Sequence, residues 1–333
     1  MYTHDVMTSG HGKGRWAWWL RLGGTLAAIA WVVSQVDLGG ARSAIAEAGA
    51  ATFVVPVVGL AVNTLIHAFR VRILLRSMDA EVRMSTILSV LCRGSFMGLV
   101  LPSGGHEVAK TALLAREGVG IEPAVSAMVG IRLLQLPVWV AMLAWGLWEG
   151  LLTTDPVLGV AAVLYIEASI LIMMAVGRGT RGLRLPHWVP AWVLTRWMRL
   201  SACADQLRGD PRALIITALL GIPPVLVGTG VVFFLVASFG CPLTFREVIT
   251  FVPSADVLIW LPVSVGGVGV RETVFTIALV PRGVPAATAV AIGLVRWTGE
   301  LARAGIGCML WLLRVVSPVE VHHRQAPRGE ENE

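Results

Sequence analysis

The chain has 333 residues, 56% of them hydrophobic and only 14% charged, and its net charge of +6 is carried almost wholly by arginine. Such a composition, with several apolar runs longer than a soluble core helix, excludes an ordinary soluble protein and reads as a polytopic helical membrane protein. Cys92, Cys203, Cys241 and Cys308 are scattered without CxxC spacing and indicate neither a zinc site nor a disulfide framework.

Residues 1–14 are polar, and His4 and His11 have no partners at metal-ligand spacing. Residues 16–36 read as a first span that is retained rather than cleaved, with Trp16, Trp18 and Trp19 at one interface. A short loop at 37–49 leads to a second span at 51–69, where Asn63 and His67 share a face and suit helix–helix hydrogen bonding. Residues 70–83 read as a basic loop holding Arg70, Arg72, Arg76 and Arg83. An interrupted apolar segment follows at 84–116. A long span at 123–148 carries Arg132, Gln135 and Pro137, and after the arginine-free stretch 149–155 another at 156–176 carries Tyr165 and Glu167. Residues 178–212 mix arginine with Trp188, Trp192 and Trp197, as an amphipathic segment on the membrane surface does. A span at 214–239 is weakened by Pro223 and Pro224. A second interrupted segment fills 245–280, and the last span, 285–313, carries Arg296, Glu300 and Arg303 ahead of a polar tail at 314–333.

The two interrupted segments resemble each other. Residues 101–110 read LPSGGHEVAK and residues 261–272 read LPVSVGGVGVRE, each between apolar runs too short to cross a bilayer. Proline removes a backbone donor and glycine opens backbone shapes closed to other residues. A broken backbone at membrane depth is tolerated only where protein buries it or a cavity receives it. Each segment therefore reads as a re-entrant hairpin of two half-helices. Gly104 and Gly266 stand 162 apart, Gly118 and Gly283 165 apart, Arg132 and Arg296 164 apart. Near-constant offsets predict a duplication, with repeats at 16–148 and 156–313. Placing the arginine-rich stretches in the cytoplasm gives cytoplasmic N- and C-termini and puts 149–155 outside. Each half then holds three crossings and one hairpin. The expected fold is thus all-α, a single transmembrane domain built as an inverted repeat whose tips meet near the midplane.

Charges inside spans are costly and are functional candidates. Arg132, Arg271 and Arg296 offer planar forks that suit phosphate oxygens, and half-helices beginning after Gly104–Gly105 and Gly266–Gly267 offer N–H groups to an anion. The candidate substrate-binding residues are these arginines and glycines with Glu107, Lys110, Asp256, Glu272 and Glu300. Competing roles remain open: an Arg296–Glu300 packing pair, Glu107 and Glu272 as dipole partners, Arg303 snorkelling to the surface, and Glu167 as a hydrogen-bonded structural carboxylate. There is no GxSxG, HExxH or P-loop, so no catalytic residue, cofactor, metal or nucleic-acid partner is expected.

The sequence RVRILLRSM at 70–78, together with the two glycine motifs, resembles the lysylphosphatidylglycerol synthase transmembrane-region family. That family includes the flippase-like membrane half of aminoacyl-phosphatidylglycerol synthases and stand-alone membrane proteins. Where the family's first tip usually reads GGD, this chain has His106-Glu107 after the glycines. The resemblance implies movement of an anionic phospholipid or a polyprenyl-phosphate-linked lipid between leaflets of the cell membrane. Without a soluble transferase domain, lipid aminoacylation is not expected. Two other readings stand beside it: a secondary transporter of a small polar solute or ion, and a non-transporting subunit supporting a lipid-modifying or glycosyl-transfer enzyme, itself a possible partner. The oligomeric state is not legible.

Overall fold

The computed structural model describes residues 38–100, 105–178, 209–259 and 269–313. The first span at 16–36, the tip glycines Gly104, Gly266 and Gly267, nearly all of 178–212 and the tail at 314–333 lie outside the described residues.

The described residues form helices joined by short turns. In order these are α1 Leu38–Glu47, α2 Ala50–Arg76, α3 Met84–Val100, α4 Gly105–Leu114, a π-helical turn Ala115–Val119 and α5 Ile121–Trp148. There follow α6 Leu151–Thr154, α7 Pro156–Arg178, α8 Pro211–Leu219, α9 Ile222–Ser238, α10 Phe245–Ile259, α11 Val270–Leu279, a 3-10 turn Val280–Arg282 and α12 Ala286–Leu312. Four stretches are long and apolar enough to cross a membrane: Ala50–Arg76, Ile121–Trp148, Pro156–Ala175 and Pro211–Ser238. The protein is therefore a multi-pass membrane protein. The helix α12 has the length of a span, 27 residues or about 40 Å, but Arg296, Glu300 and Arg303 interrupt its apolar character.

Helix α2 shows why these elements need a lipid solvent. Val54, Val58, Val62, Leu65 and Phe69 recur every three or four residues and are all exposed. Its other side, with Thr52, Pro56, Gly59 and Thr64, faces protein. Small and hydroxyl-bearing residues inside with branched apolar ones outside are a membrane helix's arrangement. The hydroxyl of Thr64 donates to the Leu60 carbonyl one turn back, so its polarity is satisfied within the helix.

Two expectations need correction. Residues 37–49 contain the ten-residue helix α1 rather than a loop. The basic stretch 70–83 is helical as far as Arg76, and Arg70 is buried, because neighbouring backbone carbonyls satisfy its guanidinium. The span expected at 214–239 is found as the candidate crossing Pro211–Ser238, weakened as expected: it is interrupted at Leu220 and Gly221 between α8 and α9, just before Pro223 and Pro224, which cannot continue an α-helical ladder from the preceding turn.

The same sequence of elements occurs twice. The arms α3 and α4 are followed by a distorted turn and the long helix α5, and α10 and α11 by a distorted turn and α12. The long helices pack crosswise, α5 against α10 and α12 against α3. Both turns end on glycines with positive φ, Gly118 and Gly120 in the first and Gly283 in the second. A buried ion pair fixes each turn. Glu117 holds Arg93 in the first, while in the second Arg282 holds Asp155 and lies 4.8 Å above the Phe251 ring.

Two apolar cores divide the molecule. One gathers the C-terminal part of α2, the arms α3 and α4, and the beginning of α5, Ala124 to Ile131. The other gathers the arms α10 and α11 with the later part of α5, the start of α7, the later half of α9 and the first turns of α12. Helices α2 and α5 run from one core to the other. Close packing within the first core depends on missing side chains. Gly94 and Gly98, one turn apart on α3, lie directly under Lys110 and His106 of α4.

At Gly307 of α12 a side chain would run into the Cys92 carbonyl and the Arg93 nitrogen of α3, whereas Gly305 has nothing within 4 Å of the same position. Gly307→Val should therefore lower the melting temperature of the detergent-purified protein, at a cost of about 1–3 kcal/mol. Gly305→Val should leave it unchanged. Equal melting curves for the two variants would contradict this packing.

Candidate functional site

Between the two cores lies a cavity of about 280 Å³. Its walls are the middle turns of α2, α5 and α12, the beginning of α9, the end of α10 and the beginning of α11. Five of the residues singled out in the sequence line it together: Arg132, Asp256, Arg271, Arg296 and Glu300. They come from four separate helices, α5, α10, α11 and α12, and two of them, Asp256 and Arg271, from the arms of the second interrupted segment.

Most of these charges already hold partners. Arg296 of α12 grips Asp256 of α10 with both nitrogens, Nη1 to Oδ1 at 2.7 Å and Nη2 to Oδ2 at 3.1 Å. Its guanidinium also lies 5.4 Å from the centre of the Phe275 ring. An Arg296–Glu300 hydrogen-bonded pair is not formed. Glu300 instead accepts from Arg303 at 2.6 Å, and Arg303 reaches Thr64 of α2 at 3.4 Å, which keeps Arg303 inside the bundle rather than at its surface. Arg132 donates to Glu107 of α4, whose carboxylate also lies 3.1 Å from the Lys110 ammonium and from His106 Nε2. In each half, then, the arginine of the long helix is clamped to a carboxylate of the hairpin arms.

Arg271 is the exception. It is half-buried in the cavity wall at the start of α11 and makes no hydrogen bond or ion pair with a described residue. Its neighbour Glu272 turns the other way. That carboxylate is buried and accepts from the Gly269 N–H at 2.7 Å, capping α11 where Gly269 adopts φ +81°. Glu107 and Glu272 are both third residues of their arms, yet one faces cations and the other its own backbone. Glu107, Lys110, Glu272 and Gly105 are not among the residues lining the cavity; the first two stand behind Arg132. Glu167 is exposed on α7 and takes no part.

Several lining residues carried little signal in the sequence. Asn63 and His67 of α2 face the cavity. Asn63 donates to the Pro224 carbonyl at 3.3 Å, which ties α2 to the first turn of α9. Gln135 lines the cavity because Arg70 holds its Oε1 at 2.6 Å and its own amide donates to the Gly221 carbonyl at 2.8 Å. Arg70 also donates to the Thr217 and Ile131 carbonyls, at 3.0 and 3.3 Å. This cluster satisfies the backbone at the α8–α9 break. Position alone signalled it, as a polar residue in a span beside a proline pair.

The model of the family described as Lysylphosphatidylglycerol synthase TM region matches residues 18–296. The chain belongs to that family. Membership puts it among membrane domains related to lipid handling, and the match takes in both interrupted segments and runs as far as Arg296. No curated protein and no solved structure matches the chain.

The ion-pair pattern has a direct test. A double-mutant cycle on Arg296→Gln and Asp256→Asn should give a coupling of about 1–3 kcal/mol in unfolding experiments. The Arg296→Gln and Glu300→Gln cycle should give clearly less. The reverse ranking would return Glu300 to the role of Arg296's partner.

Proposed function

We propose that the protein moves an anionic phospholipid or a polyprenyl-phosphate-linked lipid between the leaflets of the cell membrane, without catalysing a covalent reaction. The observation that carries this reading is Arg271: a cation without a bonded partner among the described residues, in a mid-depth cavity, in a family related to lipid handling. A guanidinium in such a place costs free energy unless a ligand or water satisfies it. A phosphate headgroup supplies two oxygens in the fork's own plane.

Arg132 and Arg296 then act by exchange. Each is held by a carboxylate on a hairpin arm, Glu107 or Asp256. A phosphate bound at Arg271 competes for these guanidinium groups. Loosening the arginine of one half frees the hairpin of that half to move. The headgroup passes through the cavity while its acyl or prenyl chains remain in lipid. Lys110 keeps Glu107 partnered when Arg132 turns to the ligand.

In this reading the two hairpins are inverted relative to each other, and the placement of their arms supports that. The arms α3 and α4 belong to one core and α10 and α11 to the other, as expected if they enter from opposite faces. Arg72, Arg76, Arg83, Arg116 and Arg212 flank the elements of the first core, so that side is cytoplasmic by the positive-inside rule. Both termini are then cytoplasmic and 149–155 faces outward.

Two outcomes are expected. Arg271→Gln should slow the movement of fluorescent phosphatidylglycerol in reconstituted vesicles by roughly 10–100-fold, the worth of a lost charge-assisted hydrogen bond. Its melting temperature should hold, because the substitution leaves no carboxylate orphaned. Full transport by a folded Arg271→Gln protein would remove the basis for headgroup recognition here. Separately, a single cysteine at the exposed position Leu152 (Leu152→Cys, other cysteines replaced) should label from outside the cell. Labelling only from the cytoplasm would overturn the orientation.

A further inference from the structure

His67 sits in the middle of α2 and lines the cavity. It makes no hydrogen bond with a described residue, and its Nε2 is closed off from solvent without a partner. A structural role in helix pairing falls to Asn63, which binds the Pro224 carbonyl. The imidazole has no such task. It is also the lining side chain whose ordinary titration range is near neutral pH, since the cavity's carboxylates, Asp256 and Glu300, are each bonded to an arginine.

Its electrical surroundings are mixed. Glu107 and Lys110 of α4, Arg132 of α5 and Arg70 of its own helix act on the ring. Around the same cavity stand Asp256 of α10, Arg271 of α11, and Arg296 and Glu300 of α12, while α9 brings only Pro224, Val225, Gly228 and Val231. Among these the cations outnumber the carboxylates. A phosphate entering the cavity adds negative charge and acceptor oxygens, and both favour the imidazolium over the neutral ring.

We propose that His67 is a proton-binding site, which takes up a proton with an arriving anionic headgroup and releases it when the headgroup leaves, so that lipid movement is coupled to a proton gradient. The inference rests on reading the cavity as an anion site. The ring nitrogen's lone pair accepts a proton from water on one side of the membrane, and the new N–H donates toward a headgroup oxygen. When the headgroup departs, the surrounding cations expel the proton to water on the other side. One proton accompanies one headgroup and no other reactant is needed.

The test uses the full chain in detergent and dihexanoyl phosphatidylglycerol as probe, by titration calorimetry near pH 7 in two buffers of different ionisation enthalpy. The wild type should show buffer-dependent heat equivalent to uptake of up to about one proton per lipid, and its affinity should fall about tenfold per pH unit through the alkaline range. His67→Gln should bind with neither effect. In vesicles carrying a fluorescent phosphatidylglycerol, an imposed proton gradient should speed the wild type several-fold and leave His67→Gln unaffected. Wild-type heats that do not depend on buffer would overturn the proposal, and they require no variant to fold. So would a His67→Gln protein that keeps the pH slope. Proton uptake on binding without any lipid crossing would leave this site standing and remove the translocation reading. Lipid crossing without proton uptake would do the reverse. Absence of binding would remove both.

Discussion

The structure depends on one constraint. In hydrocarbon no water is available to a backbone N–H, a carbonyl or a charged side chain, so each must find a partner inside the protein. Several departures from regular helix in the described residues are accompanied by such a partner. The α8–α9 break gives its Thr217 carbonyl to Arg70 and its Gly221 carbonyl to Gln135. The start of α11 offers the Gly269 N–H to Glu272. The distorted turns behind the two pairs of arms are fixed by Glu117–Arg93 and Arg282–Asp155. Charged residues thus go where the backbone is irregular, and the irregular backbone is where the two halves meet.

The same constraint explains the cavity. Arms of 17 and 10 residues in the first half, and of 15 and 10 in the second, reach about 15–25 Å, less than the hydrocarbon thickness of about 30 Å. Each pair of arms fills one core and stops. Long helices tie the cores together, and the region between them is not packed through. Residues facing that region must be small, or polar and partnered. Gly59, Gly228, Asn63, Gln135, Arg132 and Arg296 meet that requirement, and Arg271 and His67 are the exceptions.

Much of this was legible in the sequence for a physical reason. Hydropathy, proline and arginine placement act locally, so the spans at 123–148 and 156–176, the interrupted segments and the positions of Arg132 and Arg296 could be read directly. Partner choice could not. Arg296 and Glu300 are one turn apart on a helix, which made their pairing the natural reading. Asp256, 40 positions away, takes Arg296 because α10 packs beside α12 through α11. Arg70 read as part of a loop because a charge at the end of an apolar run normally marks the interface. Its burial depends on carbonyls 61 and 147 residues away, which no local pattern reveals. The repeat offsets also hid a difference. Four residues separate α3 from α4 and ten separate α10 from α11. Aligning the glycine pairs therefore sets Glu272 against Lys110, whereas aligning the second arms sets it against Glu107.

That register shift bears on the chemistry. The second arms α4 and α11 both carry a glutamate as their third residue, but only Glu107 is turned to the arginine of its long helix. In the second half that duty passes to Asp256 on the opposite arm, and Glu272 is occupied by backbone. Arg271, beside Glu272, is thereby left in the cavity with no carboxylate bonded to it among the described residues, while its counterpart in the first arm, His106, already lies against Glu107. A site with every cation paired would hold a headgroup no better than it holds itself. A site with every cation free would bind an anion too tightly to release it and would strain the fold. Two clamped arginines and one without a carboxylate give a first contact for a phosphate and two further contacts available only by exchange, so binding in this reading is coupled to loosening of the arms.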